Sequence, residues 1–440
     1  MPTAAILTIG CRLNQAESAL IAADLQKAGY RLVGWGAAAE LLVVNSCTVT
    51  AVAQKKTRKA VRAARRHHPQ SCIAVVGCSV DADSAGWLTE TGVDWLIGNT
   101  RKRNIVEIVQ SGRDQRPPPR LVTSLPAAAR PPAFVECGTG AYPHRTRAHL
   151  KIQEGCNYFC SYCIVPSARG APRSRVFDDI LREARELIVR GHRELVVTGV
   201  NTGLYEHGGR DLIDVLEALL ALDGTCRFRL SSVEPGPLLA RLARLMTRSR
   251  RLCRSLHVPI QYGEDTILAA MRRRYSVHEY LDWLRAALSE RPDIGLGTDV
   301  IVGFPGETAE TFAVCRETLQ SLPLGYLHVF RYSPRRGTAA AVFPNRVAAG
   351  PAAARHETLA ALGRDLGLAF AAANVGCTET VLGERYDPET GLTEGWSGNY
   401  LRIRVAAGPA GAGLNTLVPV RIRRVIGPRL VAAQRLPGPH

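Results

Sequence analysis

Cysteine is the residue whose spacing stands out in this chain. The stretch EGCNYFCSYCIVPSARG (154–170) places Cys156, Cys160 and Cys163 in one short loop as Cys-x3-Cys-x2-Cys. Three thiolates this close can hold three irons of a [4Fe–4S] cluster and leave the fourth iron open. A structural zinc site usually closes with four protein ligands, commonly as two pairs. No fourth ligand completes this loop, and His149 lies back on the preceding strand; zinc and idle core cysteines are the alternatives. A second set is scattered: Cys11, Cys47 and Cys78 follow the apolar runs AAILTIG (4–10), LLVVN (41–45) and CIAVVG (72–77). If these runs are parallel strands, their C-terminal ends share one edge, the edge where ligands bind. Three distant cysteines then converge on one crevice and suit a second three-cysteine cluster with one open iron; coincidence is the alternative. The other six (Cys72, Cys137, Cys226, Cys253, Cys315, Cys377) show no such pattern and read as small core residues.

The elements that must position these thiols are α/β. Strands at 4–10, 41–45, 72–77 and 93–99 alternate with amphipathic helices at 14–29 and 51–67, which predicts a parallel α/β domain over 1–105. The pattern fails over 106–143, where SGRDQRPPPRLVTSLPAAARPP reads as a linker. Six strand–helix repeats follow, with strands at 148–153, 194–200, 227–233, 255–260, 295–303 and 325–332. They predict an incomplete α/β barrel over 144–373, its active face at the strand C-termini, ending in an alanine-rich helix at 347–373. The remainder, 374–440, is β-patterned and of a size for a small OB-like barrel.

Composition limits the partners. Hydrophobic residues make up 46% of the chain, as in ordinary globular proteins. No apolar run approaches the ~18 residues of a membrane span, and MPTAAILTIG lacks the basic start of a signal peptide. A cytoplasmic protein with no membrane partner is expected, and clustered cysteines there are more often ligands or catalytic groups than disulfides. The net charge of +17 favours a polyanion, nucleic acid or an anionic surface; solubility in a basic, Arg-rich proteome is the alternative. Lys55, Lys59, Arg62 and Arg66 share one face of the helix after Cys47, flanked by Lys56, Arg58 and Arg65, with no acidic residue nearby in sequence. That face reads as a phosphate footprint, with a plain solvated face as the alternative. Tyr400 with Arg402, Arg404, Arg421, Arg423 and Arg424 on the last strands suits RNA in the same way.

The 156–163 loop, with Tyr162 before its last cysteine, resembles the radical S-adenosylmethionine (SAM) superfamily. The resemblance implies that the amine and carboxylate of SAM chelate the open iron and that an electron cleaves SAM to a 5′-deoxyadenosyl radical. The whole chain, about 5–435, resembles the methylthiotransferases through TIGCRLNQAES (8–18), VVNSCTVT (43–50), VVGC (75–78), GCNYFCSYCIVPSARGAPRSR (155–175), LSSVEP (230–235), TDVIVGFPGET (298–308) and FRYSPRRGT (330–338). Those enzymes combine an N-terminal cluster domain, a radical SAM barrel and a C-terminal TRAM domain, and carry two [4Fe–4S] clusters. GCRLNQAES and NSCTVT look most like the branch acting on N6-threonylcarbamoyladenosine in tRNA. The isopentenyladenosine branch and the ribosomal protein S12 branch are less similar, and a basic docking face would repel S12, itself basic. A non-catalytic Fe–S sensor of RNA is the rival outside the enzymes. By resemblance, Tyr162, Thr198, Gly199, Ser232, Glu234, Gln261, Asp299, Ile301 and Gly303 are expected around SAM, with loop packing for Tyr162 and turn-forming roles at the strand ends as the alternatives; His257 reads as a satisfied core histidine more than as a site residue, and a flavodoxin or ferredoxin is expected as electron donor. The chain departs from the family where Gln-Ser-Gly-Ser reads Gln261-Tyr262-Gly263-Glu264, where Met-Asn-Arg reads Met271-Arg272-Arg273-Arg274, and where Tyr-Ala-Gln after Cys78 reads Ser79-Val80-Asp81.

Overall fold

The structure, a computed structural model, describes residues 1–90, 92–111, 120–124, 133–136, 138–142, 146–407 and 413–436. The chain falls into two compact units, one of residues 1–143, 151–183 and 333–341, the other of 144–150, 184–332 and 342–440.

The first unit is built on β1 (Thr3–Thr8), α1 (Arg12–Lys27), β2 (Arg31–Leu32), β3 (Leu41–Ser46), α2 (Ala51–His67), β4 (Cys72–Gly77), α3 (Cys78–Ala82), α4 (Ser84–Leu88), β5 (Trp95–Ile97), α5 (Ile105–Gln110) and β6 (Arg120–Val122). The strands form a parallel sheet in the order β2-β1-β3-β4-β5-β6. Alternate side chains feed two cores, as a sheet covered on both faces requires. Leu41, Val43, Ala74 and Val76 pack with Ile21 and Leu25 of α1 and Ile105 of α5. Leu42, Val44, Ile73 and Val75 pack with Val61 and Ala64 of α2 and Trp87 of α4.

Residues 106–143, expected as a linker, carry regular structure in part, while 112–119, 125–132, 137 and 143 lie outside the described residues. Ile105–Gln110 is helical and part of the first core, and Arg120–Val122 is the edge strand of the sheet, paired with Trp95–Ile97. Three residues among prolines are too few to show a period. The first unit also contains β7 (Ala133–Phe134), β9 (Gln153–Glu154) and β10 (Arg173–Arg175), which form a small sheet, and α6 (Val165–Arg169), which follows the Cys156–Cys163 loop.

In the second unit, β8 (Arg147–Lys151, its last residue in the first unit), β11 (Glu194–Thr198) and β12 (Arg227–Leu230) form one three-stranded sheet. A second comprises β13 (Ser255–His257), β14 (Gly295–Val302) and β15 (Leu324–Arg331). These are the six barrel strands expected, trimmed at their ends; β13 stops before Pro259, which has no N–H to give a ladder. Their helices are α7 (Phe177–Val189, its part up to Glu183 in the first unit), α8 (Leu212–Leu220), α9 (Leu238–Arg248), α10 (Asp265–Ala270), α11 (Val277–Glu290), α12 (Ala309–Gln320) and α13 (Ala349–Ala373). A closed five-stranded barrel ends the chain: β16 (Thr378–Asp387), β17 (Leu392–Trp396), β18 (Arg402–Ala406), β19 (Leu417–Gly427) and β20 (Leu430–Arg435), in the order β16-β17-β18-β20-β19. Among the described residues no helix is long and apolar enough to cross a membrane.

Candidate functional site

Both cysteine sets lie in the first unit. Cys11, Cys47 and Cys78 stand just past β1, β3 and β4, three adjacent strands of the parallel sheet, and so share one edge as the spacing predicts. Gly10 allows their close approach: its φ is +121°, and a Cβ there would lie 2.7 Å from Cys47 Cβ and 3.1 Å from its Sγ. Side chains knit the three loops together. The Asn14 amide donates to the carbonyls of Ile9 (2.9 Å) and Ser46 (3.0 Å). Ser46 Oγ donates to Val76 O (2.6 Å) and accepts from Ser79 Oγ (2.6 Å). The departures after Cys78 are thereby accounted for: Ser79 serves this lattice and accepts from Trp87 Nε1, while Asp81 accepts from the Asn99 backbone and amide.

The loop of Cys156, Cys160 and Cys163 is equally constrained. Gly155 has a φ of +74°, and a Cβ there would sit 1.9 Å from Ala171 O. Cys156 N donates to Gly170 O (3.1 Å) and Cys163 N to Cys160 O (3.0 Å). None of the six cysteines is in a disulfide. Among the described residues, three metal-capable atoms come within 4.8 Å of one another only at His257, Asp299 and His328. A tetrahedral zinc at ~2.3 Å from each sulfur needs sulfurs roughly 4 Å apart, closer than either cysteine set is brought among the described residues. Burial pushes the Cys47 thiol up to about 11 and raises that of Cys78; ligation must therefore release protons.

Arg169, at the end of α6, connects the two sets. It is fully buried and donates to Asn14 Oδ1 (2.9 Å) and to both carboxylate oxygens of Glu17 (2.9 and 3.1 Å), and its charge acts on Cys47 and Cys78. Lys102 and Lys151 also pair with Glu17, and Lys151 with Glu136 and Glu154. Burial alone would raise Glu154, but Lys151 and Arg169 outweigh it and hold the carboxyl at about 2.

The remaining expected SAM residues, apart from Tyr162, lie in the second unit. Asp299 and Ile301 share the less buried face of β14, and Gln261 joins them through its backbone, N–H to Asp299 O (2.9 Å) and carbonyl from Ile301 N (2.8 Å). Asp299 is also engaged by His257 Nε2 (3.1 Å) and His328 Nδ1 (3.2 Å), which hold its carboxyl below the usual range against the upward push of burial. His257 Nδ1 lies 3.1 Å from Tyr326 Oη, so it is a hydrogen-bonded histidine, as expected. Glu234 is not free for SAM: it pairs with Arg273 of the divergent 271–274 stretch. Thr198 is buried at the end of β11 beside the less buried Gly199, and Ser232 is exposed beyond β12. Gly303, φ +74°, donates its N–H to Glu307. Tyr262 is fully buried and donates to Glu307 Oε1 (2.9 Å), and Glu264 caps α10 by accepting from Thr266 N and Ile267 N. Both departures therefore do structural work.

The basic face of α2 needs a correction. Lys55, Lys59 and Arg66 are exposed with no ion partner among the described residues, but Arg62 is paired with Glu90, 2.6 Å away. Arg58 pairs with Asp83 and Glu90, and Arg65 with Asp94. These acids lie too far along the chain for helical spacing to find them. On the terminal barrel, Arg402 and Arg404 share Glu394, and Tyr400 is stacked on Trp396 (4.6 Å) and covered by Arg229 rather than open to a base. Sequence reasoning missed Asn14, Glu17, Lys102, Arg169 and Arg335; GCRLNQAES, PSARG and SPRRGT carry four of them, but no spacing exposes their partners.

The chain matches the Radical SAM superfamily over residues 150–319 and the uncharacterized protein family UPF0004 over 3–98. The radical S-adenosylmethionine methyltransferase TsrM of Kitasatospora setae has a similar fold, with a TM-score of 0.58 at 15% identity over 78% of this chain and 75% of that one. Fold and thiol loop thus define a radical SAM protein. The threonylcarbamoyladenosine tRNA methylthiotransferase MtaB of Bacillus subtilis is 34% identical over 412 residues, 92% of this chain and 90% of that protein. The Thermotoga maritima protein of the same name is 33% identical over 91% of each. A tRNA-2-methylthio-N(6)-dimethylallyladenosine synthase of Dehalococcoides mccartyi is 35% identical over a shorter 348 residues, 78% of this chain. The chain belongs to the methylthiotransferase family, in the MtaB branch.

Proposed function

We propose that this protein converts N6-threonylcarbamoyladenosine beside the anticodon of tRNA to its 2-methylthio derivative. The observation that carries this reading is the pairing of two three-cysteine sites in one unit, in a chain similar over nine-tenths of its length to enzymes named for that reaction. Cys156, Cys160 and Cys163 hold the SAM-binding cluster; Cys11, Cys47 and Cys78 hold the auxiliary one. When bound, these groups supply the electron that generates the 5′-deoxyadenosyl radical and the sulfur destined for C2, and a second SAM supplies the methyl group. The chain's own part is placement. Asn14, Ser46 and Ser79 fix the three auxiliary thiols against one another, and Arg169 fixes α6 to α1. Gln261, Asp299 and Ile301, with the last two on the less buried face of β14, are the residues that the resemblance assigns to SAM. The target adenosine must lie unstacked, which an anticodon loop allows cheaply. Lys55, Lys59 and Arg66 contribute phosphate contacts, with Arg402 and Arg404 a weaker second surface. An N-terminal cluster domain that runs past residue 105 to include Arg120–Val122, a barrel and a TRAM-like barrel (374–440) fit this reading, as do a cytoplasmic location and a flavodoxin or ferredoxin donor. The test is a competition: anaerobically reconstituted protein, SAM and reductant, with tRNA bearing the threonylcarbamoyl or the isopentenyl group. Methylthiolation of the first alone supports the assignment; preference for the second overturns it.

A further inference from the structure

The segment Ser333–Ala341 belongs to the first unit and touches both thiol loops. At one end, Ser333 Oγ accepts from Ala51 N (3.0 Å) at the start of α2. At the other, Ala340 N donates to the carbonyl of Ser161, between Cys160 and Cys163 (2.8 Å). Between them lies Arg335, only 9% exposed. Its backbone is pinned by Thr338, whose N and Oγ1 donate to Arg335 O (3.0 and 2.8 Å). Its Nη2 donates to Oγ1 of Thr48, the neighbour of Cys47, and to Gln54 Oε1 (2.9 and 2.7 Å).

Those acceptors are neutral. No carboxylate of the described residues is within ion-pair distance, and the Arg335 Nε is buried with no hydrogen-bond partner. Asp83, an acid whose charge acts on Arg335, is already committed to Arg58 and to the Gln54 amide. Burying a charge without a counter-ion is expensive, and burial indeed weakens the hold of this guanidinium on its proton, while Asp83 and Cys47 favour the charged form. Arg335 contrasts with Arg169, whose charge is met by Glu17. The missing anion is adjacent: a four-iron core held by three thiolates is negatively charged, and becomes more so on reduction.

We propose that Arg335 is a positioning residue that supplies the counter-charge of the auxiliary site at Cys11, Cys47 and Cys78, on a strap that also fixes the SAM-binding loop. This rests on the assignment of the auxiliary cluster to those cysteines. A positive charge beside a cluster favours its reduced form, so removing the charge must shift the auxiliary potential downward. The SAM-binding cluster, whose loop the strap meets at Ala340 rather than at Arg335, should not move.

The experiment compares wild type, Arg335→Gln and Arg335→Lys as anaerobically reconstituted full-length protein. Iron is counted, and both clusters are titrated potentiometrically by EPR, with added SAM marking the signal of the SAM-binding cluster. The proposal expects a more negative auxiliary potential in the Gln variant, a near-normal one in the Lys variant, and an unchanged SAM-binding cluster in both. Selective loss of auxiliary iron from the Gln variant alone supports it equally, since only charge separates the two. Equal behaviour of both variants, whether unshifted, shifted or depleted, overturns it, because the fork-shaped hydrogen bonds are lost in both. A wild type holding one cluster instead of two would remove the auxiliary assignment itself, and this inference with it.

Discussion

Replacing Glu17 by Gln should cost the first unit far more than one hydrogen bond. Glu17 is buried and receives Lys102, Lys151 and Arg169. Without its charge, Lys151 keeps Glu136 and Glu154, at 3.0 and 2.7 Å, and Arg169 keeps Asn14 at 2.9 Å. Among the described residues Lys102 keeps only the neutral Asn99 Oδ1 at 3.0 Å, with its side chain 4% exposed. Removing one partner of a buried pair costs ~3–5 kcal/mol, most of it from the charge left behind. At ~1.36 kcal/mol per decade, that is a rise of at least ~100-fold in opening. Hydrogen exchange of the β3 and β4 amides, followed by mass spectrometry, reads this directly, because both strands are buried in the sheet centre. Adding Lys102→Met should slow exchange again, since the stranded ammonium is gone, and recover at least ~1 kcal/mol. Exchange in Glu17→Gln within about threefold of wild type, or a double variant worse than the single, would refute the reasoning.

Three further outcomes are expected. Replacing Cys156, Cys160 and Cys163 by Ala should remove about half of the roughly eight irons of two four-iron clusters and abolish SAM cleavage, while replacing Cys11, Cys47 and Cys78 should remove the other half and leave cleavage measurable; iron assay and detection of 5′-deoxyadenosine decide it. Changing Lys55, Lys59 and Arg66 to Gln should lower the log–log salt slope of tRNA binding by ~2, at ~0.7 per single-strand contact, and adding Arg62→Gln should change it little, because Glu90 already holds Arg62. Glu154 has a folded pKa near 2, below its unfolded value of ~4.3, so its contribution, ~3 kcal/mol, is full above the unfolded value and lost as pH falls from ~4 toward 2; urea midpoints of wild type should drop more between about pH 6 and about pH 3 than those of Glu154→Gln.

The convergence of Cys11, Cys47 and Cys78 was legible because each follows an apolar run, and parallel strands align their ends. The α2 face was legible for the same kind of reason: helical spacing is local. Its ion pairs were not, since Glu90 comes 28 residues after Arg62. The same holds more strongly for Arg169, which meets Asn14 across 155 residues, and for Arg335, which meets Thr48 across 287. No period in a sequence encodes such a meeting. β6 escaped because three residues carry no period, and the prolines around them signal a break. Tyr262 and Glu264 stood out as departures from a family pattern, yet only the fold reveals a buried bond to Glu307 and a helix cap.

The central claim is that this chain methylthiolates threonylcarbamoyladenosine. Its most direct measurement is nucleoside mass spectrometry of tRNA from cells with and without the gene. The account predicts that 2-methylthio-N6-threonylcarbamoyladenosine disappears on deletion and that the unmethylthiolated nucleoside rises by the same amount. It also predicts that the cysteine variants fail to restore the product. Loss of the methylthio group from isopentenyladenosine instead, or an unchanged nucleoside profile, would contradict it.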